Sequence, residues 1–519
     1  MRQLAAALVL AGGGALCAAQ LAPSSADAAF AGFFAARTPQ EAAAAADRIV
    51  AAGVGFDEAY RRLKQGRAYS RDVARGVVQG ARHGESGEYF YTLDVPERYD
   101  PAHAYQVRVQ LHGGVARIET NTPSRPPSSV RLPGAEQIYV TPYAWRDAPW
   151  WSGRQVENLR AILDVVKRTY NVDENRVVLS GVSDGGTGAY YMGMRDTTPY
   201  ASFLPLNGFI LVLDSETPEA DGDLFPGNLR NKPLFVVNGG RDPLYPTAVV
   251  EPLLEHLKRG GVDLTYRPQP DAAHDTAWWP AMRDTFERFV AEHPRVPLLD
   301  ALSWESGPPN LPGRAHWLII ERLGAAQSDE PSLSDVNRRA RHPAPDFGNR
   351  ASGARITRVL KGSSAEQIGF RPGDLVAGIN GQPLSAGADV ADMFGSFPQG
   401  RPLIAAVVRG GESVRLSGRY APSQLPESDS MFSRQRESGR VDLIRVGNRI
   451  EARARGVAAF TLLLSPAQFD LDRPITVVVN GRTVADRIVQ RDLRTLLKWG
   501  FIDNDRTMLF AGELTVAAP

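Results

Sequence analysis

The run Arg176-Val177-Val178-Leu179-Ser180-Gly181-Val182-Ser183-Asp184-Gly185-Gly186 sets the fold class. Its apolar, β-branched first half reads as a buried strand, and the glycines after it open a helix. Between them lies G-x-S-x-G. In such a sequence a sharp strand-to-helix turn lifts a serine hydroxyl above the sheet, and the flanking glycines relieve backbone crowding. A glycine-rich loop with an incidental serine is the other reading of these letters. The residues at the ends of later strands decide between the two.

Downstream, the apolar stretch Pro233–Asn238 leads into Gly239-Gly240-Arg241-Asp242, and one helix and one strand later comes Asp271-Ala272-Ala273-His274. Catalytic groups in open parallel sheets gather at strand C-terminal ends. Asp242 and His274 are therefore the candidate acid and base for Ser183, with Asp214 the next candidate acid. Of the eight histidines, His256 falls in a predicted helix and His293 at a helix end, whereas His274 follows a strand in a loop. Upstream, Leu111-His112-Gly113-Gly114 follows a central strand. An oxyanion hole needs two backbone N–H groups about 3 Å from the developing charge. Gly113 or Gly114 is expected to supply one and the Asp184 amide the other. His112 is read as a structural residue that orients this loop.

Around this centre, strands are predicted at 76–82, 88–95, 105–111, 137–141, 176–180, 202–206, 233–238 and 263–267. Helices are predicted around 156–166, from 185, at 248–258 and at 279–290. Short apolar strands alternating with helices imply a mostly parallel sheet covered on both faces. The expected class is α/β, with a catalytic unit over 76–294 after a helical segment at 29–75. In that segment Thr38-Pro39-Gln40-Glu41 forms a capping box. Beyond Pro294, a Pro/Gly-rich break opens a connecting stretch, 295–345. A small β-rich unit is expected at 346–420, a polar linker at 421–440 and a β-rich domain at 441–519, where Asn480-Gly481 signals a hairpin. A strand at 317–321 is expected to pair with that last domain, which makes the small unit an insertion in it. No residue of the small unit suggests a nucleophile or base. A chain ending near Pro294 is accordingly expected to hydrolyse a small soluble ester, provided that it folds.

At these residues the chain resembles known families. Residues 89 to 294 are similar to α/β-hydrolase serine esterases of the polyhydroxybutyrate-depolymerase and feruloyl-esterase branch, related to prolyl-oligopeptidase catalytic domains. The matching runs are Tyr91 to Pro96, Leu111 to Gly114, Gly181 to Gly186 and Asn238 to Pro246. One departure is the Pro/Ser-rich stretch between Gly114 and Gln137, where such enzymes often place a helix. The run Gly362 to Asp374, with Ile379-Asn380-Gly381 after it, resembles PDZ domains of bacterial periplasmic proteases. That resemblance implies binding of a peptide C-terminus by strand addition, with Asp346-Phe347-Gly348 as a weak candidate for the carboxylate loop.

Composition narrows the partners. Across 519 residues, 59 basic and 58 acidic side chains nearly cancel, so no one-signed field favours nucleic acid or an anionic membrane. Residues 1–28 read as a signal peptide: Arg2, an uncharged Leu/Ala-rich core, then Ala26-Asp27-Ala28 as an A-x-A cleavage site. The expected location is the periplasm or the medium of a bacterium, with no membrane span in the mature chain. The single cysteine, Cys17, lies inside that segment, so neither a disulfide nor a thiolate metal site is expected. No metal or organic cofactor is expected. Trp150-Trp151 and Trp278-Trp279 flank the predicted active-site loops. Trp150, Trp151 and Trp278 are read either as lining an apolar or aromatic substrate cleft or as packing residues. The acidic stretch 219–223 lacks the spacing of a calcium loop and reads as a solvated loop.

The expected function is a secreted serine hydrolase that cleaves carboxylic esters, aromatic or polymeric ones among them, through an acyl-enzyme. A serine peptidase of the prolyl-oligopeptidase type shares the same chemistry and stays open as an alternative. So does a peptide-binding PDZ-type protein carrying a relic hydrolase.

Overall fold

The period-two and continuous apolar runs form an eight-stranded sheet. In the computed structural model, residues 25–519 are described except 85–86, 116, 127–130, 215–219, 221–223, 326–332, 338–350, 353, 385–389, 391–393, 395–399, 421–427 and 433–436. The strands are β1 (Gly76–Gly84), β2 (Gly87–Val95), β3 (Tyr105–Leu111), β4 (Ile138–Pro142), β5 (Val172–Val182), β6 (Phe203–Leu206), β7 (Leu234–Val236) and β8 (Leu264–Tyr266). Their order is β1-β2-β4-β3-β5-β6-β7-β8. β1 pairs antiparallel with β2, and β2 with β4. Every later pairing is parallel. This is the α/β-hydrolase arrangement. Strands β4, β6 and β7 are buried at every position, as a sheet covered on both faces requires.

Three helices precede the sheet: α1 (Ser25–Ala35), α2 (Pro39–Ala51) and α3 (Phe56–Gln65). Thr38 caps α2, and both halves of its box with Glu41 are present. Four more helices lie among or after the strands: α4 (Gly153–Thr169), α5 (Asp184–Arg195), α6 (Thr247–Arg259) and α7 (Trp279–Glu292). The stripe Val156, Leu159, Ile162, Leu163 and Val166 of α4 is buried.

The C-terminal region was expected to be strands alone, and it is not. A helix spans Leu493–Asp503, capped by Asp492, which accepts from the Arg494 and Thr495 amides. The cap followed by Leu493, Leu496 and Leu497 was a legible helix signal that the neighbouring hairpin, Ile475–Val479 with Arg482–Arg487, overshadowed. Leu496 and Leu497 share one buried cluster with Phe30, Phe33, Ile49 and Leu63 of the N-terminal helices. The two ends of the chain therefore complete each other's core. The rest of this region is two sheets, of four and five strands, closing on one apolar cluster that includes Trp304, Trp317, Phe460 and Val477. Leu318–Leu323 pairs with Val457–Leu464, and Ala301–Ser306 with Gly439–Val446.

This β region is tied into the hydrolase unit. Arg295 and Asp505 form an ion pair at 2.6 Å, with side chains 1% and 2% exposed. Burial alone would raise the Asp505 carboxyl, but Arg295 and Lys167 hold it far below the usual carboxylate range. Arg506 grips Glu174 through two nitrogens, and Asn228 bridges the Met194 and Glu305 carbonyls. Residues up to Pro294 consequently share their packing with the C-terminal region, so the condition on the shortened chain, that it folds, is the part these contacts bear on.

The small unit is a six-stranded sheet around Ile356, Ile368, Phe370, Val376, Leu403 and Val407. Its motif folds locally as the residues dictate. Ser363 caps the short helix Ser364–Ile368, and Gly369 closes it at φ 97°. Buried Asp374 takes both Arg409 nitrogens at 2.7 and 2.8 Å. Two short strands, Asp335–Asn337 and Ser428–Ser430, lead to and from this unit with Asn337 opposite Ser428. Below them Leu333, Met431 and Phe432 join the core cluster of the hydrolase sheet. The candidate carboxylate loop at 346–348, most of the 219–223 stretch and most of the 421–440 linker lie outside the described residues.

Stability measurements report on this packing. Replacing residues 338–427 by a two-residue Asn-Gly turn joins strands that are already paired, so this chain should keep one cooperative melt near that of the parent. A chain ending at Pro294 exposes the faces that Leu496, Leu497 and Asp505 cover, and should lose its cooperative melt. Asp505→Asn leaves Arg295 buried without its counter-charge and should cost about 3–5 kcal/mol in denaturant unfolding. A cooperative, parent-like melt in the Pro294 truncation would refute this division of the packing.

Candidate active site

Ser183 sits between β5 and α5 with φ 59° and ψ −120°, a strained conformation for a residue bearing a Cβ. The turn is held from both sides: the Ser183 amide donates to the Leu206 carbonyl at 2.9 Å, and the Thr187 amide donates to Ser183 O at 3.0 Å. A Cβ at Gly181 would collide with the Gly185 carbonyl, and one at Gly185 with the Leu111 carbonyl. The two glycines of the motif are thus required by close backbone contact, not by flexibility.

The structure brings the three sequence-derived residues into one hydrogen-bonded chain. His274 Nε2 lies 2.8 Å from Ser183 Oγ, and His274 Nδ1 lies 2.7 Å from Asp242 Oδ2. Asp242 is 1% exposed, and its other oxygen accepts from the Leu244 and Tyr245 amides at 2.8 and 3.0 Å. Burial alone would raise the Asp242 carboxyl, but the bonds from His274 and these amides outweigh it and hold its pKa below the usual range. An ionised acid on Nδ1 leaves Nε2 as the acceptor for the serine proton.

Asn207 was missed by the sequence reading. It follows β6, is fully buried, and adopts φ 49°. Its Nδ2 donates to the Asp275 carbonyl at 2.7 Å, which pins the loop carrying His274. The legible signal was Asn207-Gly208 directly after an apolar strand, since asparagine tolerates the left-handed region. Tyr245 stands edge-on to His274 with ring centres 5.6 Å apart and stacks on Phe209.

Gly113 lies against Ser183: a Cβ there would fall 2.9 Å from Ser183 Cβ. Gly114 adopts φ 72°. Asp184 is the first residue of α5, where helix amides have no intrahelical acceptor. Of the expected oxyanion positions, Gly113 thus lies against Ser183 and Asp184 follows it at the start of α5. His112 is a loop anchor. Its Nδ1 lies 2.8 Å from the Gly113 carbonyl, its Nε2 lies 3.1 Å from the Ala144 amide nitrogen, and its ring stacks on Tyr143. Burial holds its pKa below the usual histidine value, so the neutral ring donates from Nδ1 and accepts at Nε2. No helix fills the Gly114–Gln137 stretch among its described residues; a single 3₁₀ turn, Ile118–Thr120, stands there.

The tryptophans do not line a cleft. Trp150 and Trp151 are 0% exposed and Trp278 is 7% exposed, and all three belong to apolar cores. Trp150 packs against Gly188 of α5 and donates Nε1–H to the His112 carbonyl at 2.8 Å. It braces the loop behind the site, and the packing reading of these residues replaces the cleft reading.

The PDZ domain family matches residues 355–396. The periplasmic serine endoprotease DegP of Escherichia coli (strain K12) is 32% identical over 78 residues, which is 15% of this chain and 16% of that protein. Serine protease HTRA4 of Homo sapiens is 33% identical over 73 residues, 14% of each chain. Both matches thus span a small part of those proteases. Among solved structures, a ferulic acid esterase is 19% identical with a TM-score of 0.31, covering 42% of this chain and 98% of its own. Thermogutta terrifontis esterase 2 is 17% identical with a TM-score of 0.34, covering 42% and 94%.

Three tests bear on this geometry. Gly181→Ala should destabilise the fold by about 1–3 kcal/mol, the usual cost of overpacking. Asn207→Ala should cut kcat by up to about 10²-fold through misplacement of His274, with KM moving little; equal kcat would remove Asn207 from the support. The Asp242 carboxylate, with its native pKa lowered, contributes stability that is present above the ordinary value of about 3.9 and lost as pH falls through its native value. The stability difference between the parent and Asp242→Asn should therefore shrink below about pH 4 in acid-titrated melts.

Proposed function

We propose that the chain is a serine hydrolase that cleaves carboxylic esters with Ser183 as nucleophile, His274 as base and Asp242 as the orienting acid. The observation that carries this reading is the unbroken chain Ser183 Oγ–His274–Asp242 at a strained turn beside glycine backbone. As Ser183 Oγ attacks the ester carbonyl carbon, His274 Nε2 takes its proton, and Asp242 stabilises the imidazolium. The carbonyl oxygen takes up the negative charge, and the Asp184 amide with that of Gly113 or Gly114 stabilises it. Collapse of the intermediate breaks the bond to the alcohol oxygen, which receives the proton from His274. Water then repeats the sequence on the acyl-serine, releasing the acid and restoring the hydroxyl.

Two parts of the proposal concern the rest of the chain. The PDZ-like unit binds a peptide C-terminus and recruits a tethered substrate without adding chemistry. The match to PDZ domains and the unit's separate apolar core support this reading. Export follows from the 1–28 signal, with cleavage after Ala28. That bond lies in the first turn of α1, just before the buried residues Ala29, Phe30 and Phe33. The periplasmic description of DegP fits the same destination. Among the described residues no helix is long and apolar enough to cross a membrane.

The deciding measurement is turnover and fluorophosphonate labelling. Ser183→Ala should lose both, and Asp242→Asn should lose on the order of 10⁴ in kcat. A panel of acyl, phenolic and polymeric esters alongside peptides should show ester turnover well above amide turnover. Full activity in Ser183→Ala would end the proposal, and amide turnover matching ester turnover would make the chain a peptidase.

A further inference from the structure

We propose that the chain carries a second binding site, for a small organic anion with a flat apolar body, between its N-terminal helices and the far edge of the hydrolase sheet. A cavity of about 570 Å³ lies there, walled by α1, α3 and the segment after it, by residues 100–102, and by Asn171 and Arg506. Residues 100–102 precede β3 and Asn171 precedes β5, whereas Ser183 leaves the C-terminal end of β5. The cavity and the catalytic serine thus occupy opposite edges of one sheet, and the cavity is no part of the ester site.

Four guanidinium groups line it: Arg62, Arg67, Arg71 and Arg506. Two are neutralised, Arg506 by Glu174 at 2.6 Å and Arg62 by Asp27 and Glu58 at 2.7 and 2.8 Å. Arg71 reaches Asp100 at 3.3 Å from a mostly exposed position. Arg67 differs. Among the described residues it has no carboxylate partner, and its hydrogen bonds go to neutral oxygens, Phe34 O at 3.1 Å and Asn504 Oδ1 at 3.0 Å. It is partly buried, and that burial together with the nearby Arg168 charge lowers its pKa. The nearby Asp164 carboxylate, itself paired with Arg168, offsets only part of this. Holding a charge partly out of water without a direct ion pair is costly, and an anion in the cavity would reduce that cost. The guanidinium fork presents paired donors suited to a carboxylate or phosphate.

The apolar half of the ligand is read from the rings. Arg62 lies over Phe30, Arg67 over Phe34 and Arg506 over Tyr69, at 5.0, 5.6 and 5.9 Å from the ring centres. All six side chains line the cavity. Cationic groups thus alternate with aromatic rings, the surroundings that hold a flat anion by both its charge and its body. The proposed export cleavage after Ala28 would also remove Asp27, leaving Arg62 with Glu58 alone. Because the walls come from the N-terminal helices, the sheet and the C-terminal region, an occupant would clamp the three together and raise the melting temperature.

Isothermal titration and melts of the purified chain with phenyl phosphate and benzoate test this, with inorganic phosphate and acetate for comparison. Phenyl phosphate or benzoate should bind and raise Tm with concentration, the comparison ions markedly less. Arg67→Gln keeps an amide donor for the neutral partners and should weaken binding by on the order of 10-fold to 100-fold, with nitrophenyl butyrate turnover unchanged. Arg67→Lys should retain part of the affinity. Ala102→Trp keeps all four arginines and fills the cavity from the opposite wall, and it should also abolish binding. The proposal is overturned if none of the four anions binds the native chain, if both cavity variants bind as the parent does, or if phenyl phosphate and benzoate bind no better than the ions that lack a ring.

Discussion

The proposed catalytic centre is built on the strained turn at Ser183. A residue held at φ 59° and ψ −120° stores strain of about 1–3 kcal/mol and persists because its surroundings allow no relaxed alternative. The amide on one side is committed to β6, the carbonyl on the other to α5, and the glycines let three backbone segments meet where side chains would collide. The same contacts fix β3, β5 and β6 relative to one another. Sheet, oxyanion loop and nucleophile are therefore one packing problem with one solution.

From that point the other proposed catalytic groups are set by attachment to strand ends. β7 delivers Asp242 and the loop after β8 delivers His274. Neither arrives by a side-chain bond alone. The Asp242 carboxylate is locked by two amides of its own loop, while the histidine loop is tied to the end of β6 through Asn207. On the other flank, Trp150 holds the His112 carbonyl and His112 the Gly113 carbonyl. In the proposed oxyanion role, preset dipoles have value only if they do not reorganise during reaction, and a buried indole wedged between loop and helix would serve that end.

What the sequence made legible was short-range. The motif around Ser183, the strand ends at Asp242 and His274, the capping box at Thr38 and the Asn480-Gly481 turn each carry their cause within a few residues. Such signals survive without knowledge of the tertiary fold. The tryptophans show the limit: sequence neighbours of a loop can point toward or away from it, and only packing decides. The helix Leu493–Asp503 had a local signal in its Asp492 cap and leucine spacing, but its packing did not. Its apolar residues find their partners more than 400 positions away, on α1 to α3, and no local pattern reports a contact at that separation.

That long-range closure also explains how a chain of this length carries an inserted unit without disturbing the catalytic centre. The N-terminal helices and the C-terminal region share a buried apolar cluster, and the Arg295–Asp505 and Arg506–Glu174 pairs tie that region to the hydrolase unit. The PDZ-like unit has a separate core and enters through two paired strands. An insertion between cross-strand neighbours adds little strain at its base, because its ends already lie side by side. Leu333, Met431 and Phe432 root those strands in the hydrolase core, so the unit is tethered firmly at one end while its own packing remains independent. Under the proposed function, recruitment and bond cleavage can then vary separately, since the residues proposed for one are not those proposed for the other.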